Sequence, residues 1–365
     1  MEFSANLLIF LALFGFVDAL LRVPITRHKA NRSRLLTATA GGWNEGLINE
    51  NQIYYQGNVI VGTPGQTISI DFDTGSDLLW MSCNCARGST LGGGHGTNYC
   101  NSHTHKFAPG ASSTNQLTTN AYSVSYGSGY VNGLIMFDRV CLPGTAHCSA
   151  SNQKMMCASF TDSSFQNSAG NPDSDGLMGL AYGQGNMANS AMKSIVAACT
   201  DKSFAFYMTN TGAGSELTIC GKDPAHYVAP LHWLNIYQTS YYWTVALKQV
   251  VFGGAVKWST VGAIILDTGT TGIYLPGTLV SKIQAACNLN ACSCPTLTFN
   301  LNGVAFNLEG KYYLDSSCNL MVYASSETSA FAGYGSNWIL GDAFMRKFYT
   351  VYDYVNAQVA IAPAR

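Results

Sequence analysis

Charged side chains are scarce in this sequence of 365 residues. Asp, Glu, Lys and Arg together make up 11% of the chain, the formal net charge is −1, and no long run of Lys or Arg occurs outside the N-terminal region. Proteins that bind nucleic acid present concentrated basic surfaces, so we expect no nucleic-acid partner. Glutamate occurs only six times, which gives little support to a glycosidase built on paired acidic residues.

The short motifs of several hydrolases and of calcium loops are also absent. Neither the Gly-x-Ser-x-Gly of serine hydrolases nor the His-Glu-x-x-His of zinc proteases occurs. The spacing Asp71-x-Asp73-x-Gly75 resembles the start of a calcium loop. However, Gly75 is its fifth residue, and Ser82 stands at the twelfth position, where a bidentate carboxylate is needed. We therefore expect neither a metal ion nor a cofactor.

Only one long apolar run is present. It covers residues 7–17, is too short to cross a bilayer, and ends in Val17-Asp18-Ala19, small residues at the positions that a signal peptidase reads. The pattern predicts a signal peptide at residues 1–19, although no Lys or Arg precedes the run; a buried N-terminal helix is the alternative. We expect the secretory pathway, no membrane anchor, and an extracellular or acidic vacuolar or lysosomal destination.

Cysteine, by contrast, is abundant. Eight of the twelve cysteines lie within the first 220 residues and four lie beyond them. This number is typical of an oxidising compartment, and two even counts predict disulfides confined to two separate halves of the chain. The cysteines between positions 83 and 100, followed by His103 and His105, also allow a metal site. Disulfides are the commoner use of such clusters in exported proteins.

The segment after the predicted signal peptide is basic. Residues 20–42 contain five of the 19 Lys and Arg residues, whereas the chain beyond residue 42 has 14 basic against 18 acidic residues. A basic leader is attracted to an acidic body. We interpret residues 20–42 as a prosegment that inhibits its own protein intramolecularly; a disordered tail is the alternative.

Short apolar runs separated by Gly, Pro, Asn and Ser dominate the chain beyond residue 52. The clearest strand patterns are at residues 54–61, 67–72, 121–126 and 134–140, and the clearest helical patterns are at 190–199 and 276–287. A chain of this length usually organises more than one core. We therefore predict an all-β, bilobal body with a few short helices.

One motif occurs twice. Residues 70–76 and 264–270 each place Asp-Thr-Gly at the end of an apolar strand, and each is followed downstream by two apolar residues and a glycine, at 177–179 and 339–341. Two similar halves related by a pseudo-twofold axis are indicated, each with one carboxylate. The limits that we predict are 43–222 for the N-terminal lobe and 223–365 for the C-terminal lobe.

The repeated turn suggests a specific chemistry. If the two halves pack about a pseudo-twofold axis, the carboxylates of Asp73 and Asp267 face each other across one water molecule. Like charges that close do not both ionise readily, so the pair shares one proton. The ionised partner takes a proton from the water while the protonated partner hydrogen-bonds a scissile carbonyl.

These motifs resemble those of the pepsin family of aspartic proteases, of the pepsin and cathepsin D type, over residues 54–362. The matching residues are Asp73-Thr74-Gly75-Ser76 with Trp80, the flap-like Tyr126-Gly127-Ser128-Gly129, Asp175-Gly176-Leu177-Met178-Gly179, Asp267-Thr268-Gly269-Thr270 and Ile339-Leu340-Gly341-Asp342. The Cys-rich stretch at 83–105 resembles an insertion of the plant nepenthesin-like branch. The resemblance implies a monomeric endopeptidase that acts on polypeptides and is made as a secreted zymogen.

The resemblance also implies roles for individual residues. Asp73 and Asp267 form the catalytic pair. Six residues support the pair: Thr74, Gly75, Ser76, Thr268, Gly269 and Thr270. Six residues contact substrate or shape its site: Tyr126, Gly127, Ser128, Trp80, Leu177 and Asp71.

Asp71 differs from the aliphatic residue usual in the enzymes that this chain resembles. Residues two apart on a strand point to the same face, so Asp71 is expected beside Asp73, where it would favour Lys or Arg before the cleaved bond. Hydrogen bonding inside the protein, away from substrate, is the alternative. For the whole protein, the non-enzymatic alternative is an inactive pepsin-like binding or inhibitor protein, which predicts damage to the motifs; they are intact.

Overall fold

A computed structural model of the chain describes residues 20–29, 53–83, 85, 97–127, 129–165, 174–183, 190–210, 214–237, 241–327 and 338–365. The predicted signal peptide, residues 30–42 of the predicted prosegment, and Ser128 lie outside these ranges. None of the helices within them is long and apolar enough to span a membrane.

Strands account for most of the described secondary structure, and their bounds are as follows. The strands up to residue 219 are β1 (Leu21–Lys29), β2 (Ile53–Val61), β3 (Gln66–Asp73), β4 (Leu79–Ser82), β5 (Gln116–Ser125), β6 (Tyr130–Asp138), β7 (Val140–Cys141), β8 (Gln153–Thr161), β9 (Gly176–Gly179), β10 (Ser203–Tyr207) and β11 (Ser215–Ile219). The later strands are β12 (His232–Asn235), β13 (Thr244–Phe252), β14 (Ala255–Leu266), β15 (Ile273–Pro276), β16 (Leu297–Leu301), β17 (Val304–Leu308), β18 (Val322–Ser325), β19 (Ile339–Leu340), β20 (Phe348–Asp353) and β21 (Gln358–Pro363). The described α-helices are α1 (Ala191–Val196), α2 (Gly277–Ala286) and α3 (Asp342–Met345). The predicted all-β class with few short helices is confirmed.

The four strands and two helices predicted from the sequence are present with shifted ends. The run at 134–140 is divided at Arg139 between β6 and β7, and α1 is shorter than the pattern at 190–199 suggested. Helix α3 was not predicted, because its four residues are too few to show helical periodicity.

Two sheets organise the described strands. The larger has the order β12-β21-β20-β10-β11-β1-β2-β3-β9-β4-β8-β6-β5, with β7 beside β2, and the smaller has the order β17-β16-β13-β14-β19-β15-β18. Strands β20 and β21 come from the C-terminal end of the chain, yet β20 pairs with β10. One sheet therefore joins the two halves of the chain, and the predicted lobe boundary at 222/223 stays a prediction.

The internal repeat appears as the same strand arrangement built twice. In the first half β3 runs parallel to β9, which is antiparallel to β4 and pairs Met178 with Leu79. In the second half β14 runs parallel to β19, which is antiparallel to β15 and pairs Leu340 with Ile273. Leu79 and Ile273 each lie six residues after the repeated Asp. The predicted pseudo-twofold relation is confirmed at the level of topology.

Strand β1 lies inside the predicted prosegment and belongs to the large sheet. Its first half pairs with β11 and its second half with β2, both antiparallel. Val23 and Ile25 are buried, whereas Arg22 reaches the acidic side chains of Glu216 and Asp223. Backbone pairing, burial and ion pairs together fix this strand on the body.

Six disulfides account for all the cysteines. The pairs are Cys83–Cys157, Cys85–Cys100, Cys141–Cys148, Cys199–Cys220, Cys287–Cys294 and Cys292–Cys318. Each pair stays within its own half of the chain, as predicted. The sulfurs near His103 and His105 are therefore bonded to one another and are not available as metal ligands.

Candidate active site

The two repeated turns lie at the ends of β3 and β14. Along β3 the apolar residues Ile68, Ile70 and Phe72 are buried in the core, because alternate side chains on a strand face the same side. Asp73 is the last residue of β3, and Asp267 directly follows β14. Their side chains are mostly buried, with 5% and 9% of each residue exposed. The strands thus place one carboxylate from each half in the same interior region.

Two threonines cross-link the turns. The Thr74 hydroxyl donates to the carbonyl of Leu266 at 2.8 Å, and the Thr268 hydroxyl donates to the carbonyl of Phe72 at 2.6 Å. In return, each threonine backbone N–H donates to the hydroxyl of the other at 3.0 Å. Both residues are buried. Each turn is therefore held by the other half of the chain in a reciprocal set of four hydrogen bonds.

The carboxylates have matching local partners. The Gly75 N–H and the Ser76 hydroxyl donate to the two oxygens of Asp73, at 2.7 and 2.5 Å. The Gly269 N–H and the Thr270 hydroxyl donate to Asp267 at 2.8 and 2.6 Å. These bonds fix the orientation of both carboxyl groups and stabilise negative charge on each.

Close approach explains the glycine in each turn. A Cβ atom added to Gly75 would lie 2.6 Å from the Asp267 carboxyl group, and one added to Gly269 would collide with the Asp73 carboxyl group. Each carboxyl group therefore rests on the glycine of the opposite turn. This is the geometry needed for the two acids to face one another.

The electrostatics of the pair follow from this packing. Burial raises the pKa of Asp73 well above its ordinary value, and the neighbouring Asp267 charge raises it further. Hydrogen bonds from Ser76 and Gly75 oppose this shift without cancelling it. The pair is thus arranged to keep one proton in acidic solution.

The predicted flap is the hairpin of β5 and β6. Tyr126 and Gly129 bond to each other through backbone N–H and carbonyl groups, which closes the turn, and Gly127 is exposed at its tip. Tyr126 packs with Trp80, Leu177 and Phe165 in one apolar cluster. Burial raises the pKa of Tyr126 well above its ordinary value, and the charge of Asp73 adds to this shift. The flap tyrosine is therefore within electrostatic reach of the dyad.

Asp71 lies on β3 opposite Gln56 of β2 and beside Leu177 of β9. The residue is partly buried, and its backbone N–H donates to the Ser174 hydroxyl at 3.1 Å. Burial is the main cause of the raised pKa of Asp342, and the charge of Asp71 adds to this shift. Asp71 therefore shares the interior region of the dyad, and its contact with substrate stays a prediction.

Sequence reasoning gave no role to several groups that surround the dyad. Asp342, at the start of α3, is fully buried, and the Asp267 charge contributes to its raised pKa. Burial raises the pKa of Tyr242 to about 12, and it raises that of Tyr274 as well; Asp267 contributes to both shifts. The sequence does contain a signal for Asp342, because this acid directly follows the second element of two apolar residues and a glycine, Ile339-Leu340-Gly341.

Comparison with known proteins bears on this arrangement. The eukaryotic aspartyl protease family matches residues 54–364. The chain belongs to this family. Cathepsin E of Rattus norvegicus is 31% identical, with 98% of this chain and 97% of the relative covered. Aspartic protease 3 of Caenorhabditis elegans is 30% identical, covering 88% and 85%, and pepsin A of Sus scrofa is 29% identical, covering 98% and 99%.

Proposed function

We propose that this protein is an aspartic endopeptidase that hydrolyses peptide bonds of polypeptide substrates at acidic pH. The observation that carries the proposal is the reciprocal packing of Asp73 and Asp267 on the glycines of opposite turns. Membership of the aspartyl protease family supports it. The hydrogen bonds to both carboxyl groups are complete, which disfavours an inactive binding or inhibitor protein.

The dyad carries out general acid–base catalysis with one shared proton. Protonated Asp73 gives its proton to the scissile carbonyl oxygen while ionised Asp267 takes a proton from a water molecule, whose oxygen bonds to the carbonyl carbon. Asp267 then returns its proton to the amide nitrogen, and Asp73 recovers a proton from one hydroxyl of the tetrahedral intermediate. The C–N bond breaks, and both groups regain their starting states. No covalent intermediate forms.

The remaining predicted residues bind and enclose the substrate. The flap of β5 and β6 closes over an extended peptide, with Tyr126 and Gly127 on the cleft side. Trp80 orients Tyr126, and Leu177 forms part of the apolar wall. Asp71 favours Lys or Arg before the cleaved bond, because a carboxylate in a partly buried pocket attracts a cation.

The enzyme is made as a zymogen in the secretory pathway and acts as a monomer. Residues 20–42 inhibit it through the attachment of β1, where Arg22 lies 2.7 Å from Asp223 and 3.4 Å from Glu216. Protonation of Asp223 in acid removes the charge that holds Arg22 and weakens the attachment. Protein that begins at Leu20 should be latent near neutral pH and lose its N-terminus in acid. Arg22→Ala should reduce latency, whereas Lys248→Ala, a change of an exposed lysine on β13, should not. Absence of latency, together with retention of the N-terminus in acid, would refute this part of the proposal.

Activity is tested by digestion of denatured haemoglobin and casein across pH 2 to 7, with and without pepstatin. Acid-treated protein should cleave both substrates internally at acidic pH, and pepstatin should abolish cleavage. Failure to cleave either substrate after removal of the N-terminal segment would favour an inactive binding protein. Cleavage insensitive to pepstatin would indicate another catalytic centre.

A further inference from the structure

His103 has no role in the mechanism described above, yet it is a buried titratable group near the flap. Only 2% of the residue is exposed. It belongs to the Cys-rich stretch, of which the structure describes residues 97–105 together with Cys83 and Cys85. The question is what this stretch contributes by holding a histidine inside the protein.

The described part of the stretch is fastened along β8. The Asn98 amide donates to the Ser159 carbonyl at 2.9 Å, and the Tyr99 N–H donates to the Thr161 carbonyl at 2.8 Å. Disulfides Cys83–Cys157 and Cys85–Cys100 add two covalent links, the first of them directly to β8. These attachments precede His103 in the chain, and the Phe107 N–H, which donates to the Ser82 carbonyl at 2.8 Å, follows it. The backbone of His103 is therefore held on both sides.

The imidazole of His103 is oriented by both ring nitrogens. Nδ1 lies 2.8 Å from the Ser174 carbonyl oxygen, and Nε2 lies 3.3 Å from the Thr161 hydroxyl. A carbonyl only accepts, so Nδ1 carries the hydrogen, and in the neutral ring Nε2 accepts from the hydroxyl. The charged groups near the ring are Asp175 and Lys106, and His105 is bonded to Asp175.

The ring of His103 stands at the end of a row of aromatic contacts that leads to the flap. Its centroid is 6.3 Å from that of Trp80, at an interplanar angle of 81°. Trp80 meets Phe165 at 5.2 Å and 81°, and Phe165 meets Tyr126 at 5.6 Å and 73°. Edge-to-face contacts of this kind are directional, so displacing one ring alters the position of the next.

Trp80 depends on such packing for its orientation. The Trp80 side chain also interacts with the Tyr126 hydroxyl, which connects it directly to the flap. Strand β4 fixes the Trp80 backbone through pairing with Met156 and Leu177. The direction of the indole is set by its neighbours Tyr126, Phe165 and His103. Of these, His103 has hydrogen bonds at both ring nitrogens.

We propose that His103 is a positioning residue for the flap: it holds Trp80, and through Trp80 and Phe165 it sets the place of Tyr126 over the dyad. The inference rests on the proposed peptidase function and assigns to the Cys-rich stretch the task of supporting the flap from behind. His103 itself does not touch substrate.

The test compares variants of the full chain after acid activation, using one peptide substrate. His103→Ala should lower kcat/KM by about tenfold or more, because small displacements of substrate-positioning groups are costly to catalysis. His103→Phe, which keeps a ring against Trp80, should retain more activity than His103→Asn, which keeps only a hydrogen-bonding group. The matched control is Thr104→Ala, because this residue is the neighbour of His103 and is exposed; it should change kcat/KM by less than about twofold.

A double-mutant cycle separates positioning from general structural support. In a Trp80→Phe background, His103→Ala should have little further effect on kcat/KM, since both changes disturb the same contact. Fully additive losses, or higher activity in His103→Asn than in His103→Phe, would overturn the inference. The comparison of His103→Asn with His103→Phe stands even if the alanine variant does not fold. If wild type cleaves peptides and is inhibited by pepstatin while all His103 variants match it, only this inference fails. If wild type is inactive, the proposed function fails instead.

Discussion

The two Asp-Thr-Gly turns are nearly equal in their hydrogen bonds but differ in what surrounds them. Each carboxylate accepts bonds from the following glycine N–H and from the hydroxyl three residues on. The first turn, at Asp73, lies near the flap tyrosine and has Asp71 two residues before it. The second, at Asp267, has Ile265 in that place and the buried acid Asp342 nearby. Symmetry thus builds the dyad, while the residues around its two carboxyl groups differ.

The surroundings differ again directly after the paired apolar residues and glycine of each half. Gly179 is followed by Leu180, a buried apolar residue whose carbonyl accepts from the Trp243 indole at 2.8 Å. Gly341 is followed by Asp342, whose carboxyl group is buried near Arg346. The same backbone arrangement is therefore followed by a buried apolar side chain in one half and by a buried carboxyl group near an arginine in the other. A repeated motif fixes the backbone but not the electrostatics of its environment.

The largest effects are expected where the two turns are most alike. Gly75→Ala and Gly269→Ala should each reduce kcat/KM by about a hundredfold or more, because the added methyl group displaces the opposite carboxyl group. Gly110→Ala is the control, since a Cβ there meets no atom within 4 Å. Kinetics of purified, folded variants would measure the losses. Wild-type activity in either variant would show that the carboxyl groups do not rest on these glycines.

A smaller effect is expected where the turns differ, at Asp71 and its counterpart Ile265. Asp71→Ile makes the first half like the second and should lower the preference for Lys or Arg before the cleaved bond by about tenfold. Cleavage sites in a peptide library provide the measurement. Thr67→Ile, an exposed change on the same strand, serves as the control. Identical preferences in wild type and Asp71→Ile would leave Asp71 with a structural role only.

The smallest effect concerns His103, which supports only the flap side of the site. Burial lowers the pKa of His103 from its ordinary 6.5, and the charge of Lys106 lowers it further. The hydrogen bond to Ser174 and the charge of Asp175 raise this pKa, but they do not cancel the effect of burial. The unfolded chain therefore binds this proton more readily than the folded protein, so folding stability is lost as pH falls from 6.5 through the lowered pKa. His103→Phe should lose less stability over that interval, measured by thermal unfolding with the exposed-site variant Thr104→Ala as control. Equal pH dependence in wild type and His103→Phe would contradict the expectation.

The dyad could be predicted from the sequence because its signal is local and repeated. An apolar strand followed by Asp-Thr-Gly specifies a carboxylate on a turn, and two copies imply that the turns meet. The even division of cysteines likewise predicted disulfides confined to each half. The attachment of β1 between β2 and β11 and the approach of Phe165 to Trp80 depend on contacts between distant segments. The hydrophobic periodicity of one segment does not indicate which distant segment it will contact.

The central claim is that Asp73 and Asp267 act as one catalytic unit, and replacing each carboxylate by an amide tests it most directly. Asp73→Asn and Asp267→Asn preserve shape, so both should fold with wild-type disulfides and thermal stability near that of wild type. Cleavage of denatured haemoglobin at acidic pH should fall in each by about a hundredfold to ten-thousandfold, the scale of general acid–base catalysis, and the double variant should lose little more. Full activity in either single variant would contradict the account.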